Sequence, residues 1–175
     1  MIFTETKLKG AFVIDIERRE DSRGFFARAF CQHEFEAHGL KPVIAQANLA
    51  FNHRTGTLRG MHFQLPPAAE TKLVRCTRGA IYDVVLDLRP SSPAFRDWIA
   101  VILTSANRHM VYVPEGCAHG FLTLEEETEI FYQMSEFHDA ESARGVRWND
   151  PAFRITWPGR VEVISQRDAE YAFFE

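Results

Sequence analysis

The stretch Thr57-Leu58-Arg59-Gly60-Met61-His62-Phe63-Gln64-Leu65-Pro66-Pro67 reads as a strand closed by a double proline. Side chains alternate along a strand, so Arg59, Met61 and Phe63 point one way and Leu58, Gly60, His62 and Gln64 the other. One face therefore carries a titratable imidazole beside a bare glycine. A glycine inside a strand lets a ligand or a second backbone come close, and histidine is suited to moving protons near neutral pH. Strict alternation also sets Arg59 opposite His62. A bend or bulge near Gly60 is needed if both are to reach one ligand.

Outward from this strand, short apolar segments recur between glycine and proline breaks. Gly10 to Ile16 and Phe25 to Phe30 read as strands, flanking a charged turn over Glu17 to Arg23. Gln32 to His38 is the one convincing helix, closed by Gly39 and followed by Pro42. Val43 to Phe51 resumes strand character, with Gln46 and Asn48 on one face, and Thr55-Gly56 is expected to turn it into a hairpin with the His62 strand. Further strands are expected at Lys72 to Thr77, Ala80 to Leu88, Trp98 to Leu103 and Glu129 to Met134, and the segment His109 to Val113 leads into Pro114 to Phe121. In the Ala80 segment, Tyr82, Val84, Leu86 and Leu88 form the expected core face. Beyond Met134 the chain reads as a loop-rich tail.

Many short strands with almost no helix predict an all-β fold, a double-sheet jelly roll with one or two short helices. At 175 residues the chain suits a single domain spanning 1–175. Its net charge of -4 offers no general attraction for nucleic acid or an anionic membrane. Any anion site must be local. Of the 20 basic residues 16 are arginines, whose rigid fork matches phosphate, so Arg23, Arg28, Arg54, Arg59, Arg75 and Arg78 are candidates to hold a phosphorylated ligand. Cys31, Cys76 and Cys117 are widely spaced without a CxxC pair, as expected of reduced thiols in a cytoplasmic protein. No leader or membrane-spanning run is read in the sequence.

Pro114-x-Gly116-x-x-His119 resembles the second half of the cupin signature, a turn that aims a histidine into a jelly-roll interior. The first half of that signature supplies a His-x-His pair, but here Gly60 and Gln64 flank His62. Two histidines fall short of a stable transition-metal site. A metal-free pocket is expected, with Glu70 as the one further candidate ligand.

The motifs Asp21-x-Arg23-Gly24-x-Phe26, Gln46-x-Asn48, Leu58-Arg59-Gly60-Met61-His62-Phe63-Gln64-x-Pro66-Pro67 and Lys72-Leu73-Val74 are followed by Asp83 to Arg89, Pro114-x-Gly116-x-Ala118-His119-Gly120-Phe121, Trp148-Asn149-Asp150-Pro151 and Ser165-x-x-Asp168. Together, in this order, they resemble the dTDP-4-dehydrorhamnose 3,5-epimerase family. The resemblance implies a cupin-type jelly roll that inverts C3 and C5, or one of them, of a nucleotide-diphosphate-linked 4-keto-6-deoxy sugar. It implies His62 as base, Tyr132 as acid, Lys72 as counter-charge to the enolate and Asp168 as the partner of His62. Arg23 and Arg59 would hold the diphosphate, with Arg28, Gln46, Asn48 and His119 as further substrate-binding positions. No cofactor is implied; a homodimer is.

Four positions depart from the family's usual pattern: Arg28 stands for an acidic residue, Ala143 for a glutamate, and Phe137 and His138 for tyrosines. A single-carbon epimerase using another nucleotide remains an alternative on these residues. A metal-dependent cupin or a non-catalytic sugar-binding cupin are the rivals from other classes.

Overall fold

The computed structural model describes residues 1–174. The chain runs β1 (Ile2–Glu5), β2 (Phe12–Asp15), β3 (Arg19–Asp21), β4 (Gly24–Phe26), α1 (Gln32–Ala37), β5 (Gln46–Asn52), β6 (Thr57–Gln64), β7 (Lys72–Arg78) and β8 (Ala80–Asp87). It continues with β9 (Trp98–Thr104), β10 (Met110–Val113), β11 (Cys117–Thr123), β12 (Thr128–Met134), β13 (Ala143–Gly145), β14 (Val163–Ile164) and α2 (Gln166–Ala169). One sheet has the order β1-β2-β10-β7-β12-β5 and the other β13-β6-β11-β8-β9, with β14 pairing β6 in parallel. This is the expected double-sheet jelly roll with two short helices. The β3–β4 hairpin stands apart from both sheets.

Three apolar clusters hold the layers together. Between the sheets, Val74, Val111 and Ile130 of one meet Ile81, Val85, Leu103 and Phe121 of the other. Each such buried aliphatic side chain contributes about 1.5–3 kcal/mol. Outside the first sheet, α1 lays Phe35 against Phe12, Leu73 and Tyr112. A helix this short has little stability of its own, so the 1% exposed Phe35 is what anchors it. Gly39, at φ +69°, ends it as expected.

The second sheet is covered by the tail, which corrects the reading of β8. Val84 and Leu86 do form a buried face, packed with Met61, Ala118 and Phe153, but Ile81 and Val85 point into the inter-sheet core. A strand covered on both sides loses the alternation that would identify its inner face. Asp83 and Asp87, 1% and 0% exposed, are tolerated inside because Asp83 pairs with His119 and Asp87 with Arg89 and Ser92.

The hairpin expected between β5 and β6 does not form. The two strands lie in different sheets, β5 paired with β12 and β6 with β11. The intervening turn is tied to the end of β11, where Gly56 N–H donates to Thr123 O at 2.9 Å and Thr57 N–H to Thr123 Oγ1 at 2.9 Å. Elsewhere, the strand expected over Phe25 to Phe30 stops at Phe26, the charged turn contains β3, and the tail contains β13, β14 and α2.

Candidate active site

The site begins with an irregularity in β6. His62 lies opposite His119 on β11, yet Arg59 lies opposite Phe121, so the register shifts between them. Three steps on β6 span two on β11, which is the bulge expected near Gly60. Glycine is required there on two counts. Its φ is +139°, and a Cβ would sit 2.5 Å from the Gly120 Cα. The room left by the missing side chain is thus used by a second backbone. Met61 turns into the core, 0% exposed, while Arg59 and His62 both line one cavity of about 980 Å³.

Asp168, on α2, closes the bulge from the other side. Its Oδ2 accepts from Gly60 N–H at 3.1 Å and its Oδ1 lies 2.8 Å from His62 Nε2. Burial alone would push the Asp168 carboxyl up, but the hydrogen bond and charge of His62, with the Gly60 donation, together hold it below the usual carboxylate range. An ionised Asp168 accepts the Nε2 proton. The lone pair of neutral His62 is then on Nδ1, the nitrogen available as a base. Ser165 caps α2 by accepting from Asp168 N–H at 3.1 Å, and so fixes the residue that fixes the histidine.

Across the cavity the first sheet presents two rows of side chains. Met134 stands between Gln46 and Lys72, and Tyr132 between Asn48 and Val74. Tyr132 and Met134 are two residues apart and so share a face. Burial raises the Tyr132 phenol above its ordinary value, with the charge of Arg59 opposing, so the hydroxyl stays protonated at neutral pH. Lys72 is 8% exposed; its Nζ lies 2.7 Å from Glu70 Oε1 and donates to His62 O at 3.2 Å. His119, beside His62 on the second sheet, holds Asp83 Oδ2 at 2.7 Å through Nε2. Arg59 is braced at the rim by Asn52 Oδ1 at 2.8 Å and Phe51 O at 3.3 Å.

His62, Lys72, Tyr132, Asp168, Gln46, Asn48, Arg59 and His119 therefore all line one cavity. Arg23 and Arg28 are not brought to it. Arg23 is 88% exposed and bonded to Asp21 at 2.6 Å in the β3–β4 hairpin, and Arg28 pairs with Glu34 at 3.1 Å. Arg54, Arg75 and Arg78 also lie off the lining. Sequence reasoning missed Arg144 and Arg167, which line it. The Ser165 cap was the signal that could have put Arg167 on a helix beside Asp168. Of the departing positions, Ala143 and His138 line the cavity, and Gln46 Oε1 accepts from His138 N–H. Phe137 is 64% exposed. Glu70 is engaged with Lys72, and among the described residues no group of three or more His, Cys, Asp or Glu is placed to hold a metal ion.

His62 lines the cavity from the second sheet and Tyr132 from the first, where Lys72 and the carboxamides of Gln46 and Asn48 flank the Tyr132 strand on either side. That arrangement can remove a proton from one side of a bound molecule and return one to the other. A family model described as dTDP-4-dehydrorhamnose 3,5-epimerase matches residues 5–175. An enzyme of that name from Sinorhizobium fredii is 38% identical over 170 residues, covering 97% of this chain and 87% of the relative. The crystal structure of the Bacillus anthracis enzyme, with TDP and pyrophosphate bound, superposes with a TM-score of 0.94 at 36% identity, covering 99% of both chains. That of the Legionella pneumophila enzyme in complex with dTDP-4-keto-L-rhamnose gives 0.90 at 30% identity, covering 98% of this chain and 92% of the other. With its jelly roll, its cavity and a family match over nearly its whole length, the chain belongs to the dTDP-4-dehydrorhamnose 3,5-epimerase family.

Proposed function

We propose that this chain inverts C3 and C5 of a dTDP-linked 4-keto-6-deoxy sugar by proton abstraction beside the ketone and reprotonation from the opposite face. The observation that carries this reading is the placement of His62 and Tyr132 on facing sheets of one cavity. The ketone acidifies the hydrogens on its two neighbouring carbons. His62 Nδ1 takes one of them, and the electron pair moves onto the C4 oxygen. Lys72 donates to that oxygen as it becomes an enolate, a contribution that grows as charge develops. Tyr132 then delivers its proton to the other face of the planar carbon, and the configuration is inverted. Asp168 keeps Nδ1 unprotonated and aimed, which is the orienting half of a Ser-His-Asp triad without its nucleophile. The chain's own side chains supply the base, the acid and the enolate's counter-charge.

Arg59 holds the diphosphate, and Gln46, Asn48 and His119 line the sugar and nucleotide site. Arg23 and Arg28 take part through a second copy. The β3–β4 hairpin extends Arg23 into solvent beside Phe26, 71% exposed, and a homodimer that covers this hairpin would bring Arg23 to the partner's cavity. Residues 1–175 act as one domain, in the cytoplasm, a reducing compartment that suits three free cysteines.

The test is deuterium wash-in from heavy water, followed at C3 and C5 separately across dTDP-, CDP-, UDP- and GDP-linked 4-keto-6-deoxy sugars. Exchange at both carbons with the dTDP sugar preferred is the expected result. Exchange at one carbon alone, or preference for another nucleotide, would overturn that part of the assignment.

A further inference from the structure

Glu70 takes no part in the mechanism above, yet among the described residues it and Asp168 are the two acids that line the cavity. Glu70 is 6% exposed. Its Oε1 is 2.7 Å from Lys72 Nζ, and its Oε2 is buried with no hydrogen-bond partner among the described residues. A buried carboxylate oxygen without a donor is rare, because the desolvation it suffers goes uncompensated. Lys72 has three N–H donors, of which one meets Glu70 and one the His62 carbonyl. The wall thus holds an ammonium donor beside a carboxylate whose second oxygen is unpartnered and closed off until the group turns toward the cavity.

Resting on the reading of this cavity as a 4-keto sugar site, we infer that Glu70 is a substrate-contacting residue that accepts a hydrogen bond from the C3 hydroxyl during inversion at C3. Removing the C3 proton sends its electron pair into a C3–C4 double bond and the carbonyl pair onto O4. The product is an enediolate, with the C3 hydroxyl and the O4 oxyanion coplanar and adjacent. Lys72 donates to O4 while Glu70 accepts from the hydroxyl. The carboxylate torsion of a glutamate is soft, so the group can turn to meet it. The match is better to the planar intermediate than to the tetrahedral sugar, which is what accelerates a step. Removing the C5 proton gives an enolate whose C5 carries a methyl group and the ring oxygen. No hydroxyl is there for Glu70 to accept. Glu70 therefore separates the two inversions, whereas Lys72, which meets O4 in both, does not.

The experiment compares wild type, Glu70→Gln, Glu70→Asp and Lys72→Met in heavy water with dTDP-4-keto-6-deoxyglucose, reading exchange at C3 and C5 by NMR. Loss of a charged hydrogen bond corresponds to about tenfold or more in rate. Glu70→Gln should slow C3 exchange by about tenfold or more beyond any loss at C5, where only the change at the paired Lys72 is felt. Lys72→Met should slow both. C5 exchange reports that the variant is folded, and Glu70→Asp, if Glu70→Gln is not folded, should show the same C3 bias. Equal loss at C3 and C5 in a folded Glu70 variant would reduce Glu70 to a support for Lys72 and overturn the inference, as would no loss at either. An absence of exchange in wild type would instead refute the underlying epimerase reading.

Discussion

His62 and Asp168, 106 residues apart in the chain, meet at 2.8 Å through Nε2 and Oδ1. The same carboxylate reaches the backbone of Gly60 at 3.1 Å. One side chain thereby contacts both the His62 imidazole and the bulge that carries it. Asp168→Asn keeps the shape but can present an amide N–H to Nε2, which would move the imidazole proton to Nδ1. Turnover should fall on the order of 10³-fold with KM nearly unchanged. Steady-state kinetics check this, and a matching rise in KM would contradict a role confined to the base.

The same contact sets an acid limit on stability. The Asp168 carboxyl is held below its ordinary value of 3.8, so the folded state favours the ionised form. Its contribution is complete above the unfolded value and is lost as pH falls through the folded one. Below about pH 4, wild type should lose stability more steeply than Asp168→Asn. Denaturant midpoints across pH measure the difference, and parallel curves would contradict it.

Tyr132→Phe separates abstraction from delivery. His62 remains able to take a proton and return a deuteron to the same face, but the opposite face has lost its donor. Epimer formation should drop about 10²–10⁴-fold while wash-in without inversion persists. Equal loss of both would move Tyr132 from the acid to a general binding role.

Gly60 and Gly120 approach backbone to backbone, and this too can be weighed. Gly60→Ala would place a Cβ 2.5 Å from the Gly120 Cα at φ +139°. It should cost at least about 2 kcal/mol of unfolding free energy. Gly159→Ala, where nothing lies within 4 Å, should stay within about 0.5 kcal/mol of wild type. Comparable losses at the two positions would show that the bulge is not the constraint described.

The strand face and a helix expected over Gln32 to His38, observed at Gln32–Ala37, were legible in the residues, and the family resemblance named eight side chains that gather in one cavity. The sequence also disclosed the need for a bulge, because Arg59 and His62 have the wrong parity for one ligand. The pairing of β5 was not legible, since a turn at Thr55-Gly56 looks the same whether it closes a hairpin or crosses between sheets. Nor was the true inner face of β8, whose two sides are both covered. Arg144 and Arg167, which line the cavity, escaped for another reason. A lone arginine carries no pattern of its own, and its meaning comes from partners that only the folded chain supplies.

The central claim is that His62 is the base that opens the carbon acid. Wash-in from heavy water into dTDP-4-keto-6-deoxyglucose by wild type and by His62→Ala tests it most directly, with dTDP binding measured in parallel. The account predicts exchange at C3 and C5 in wild type and at neither carbon in the variant, with nucleotide binding kept. Exchange that survives in His62→Ala would contradict it.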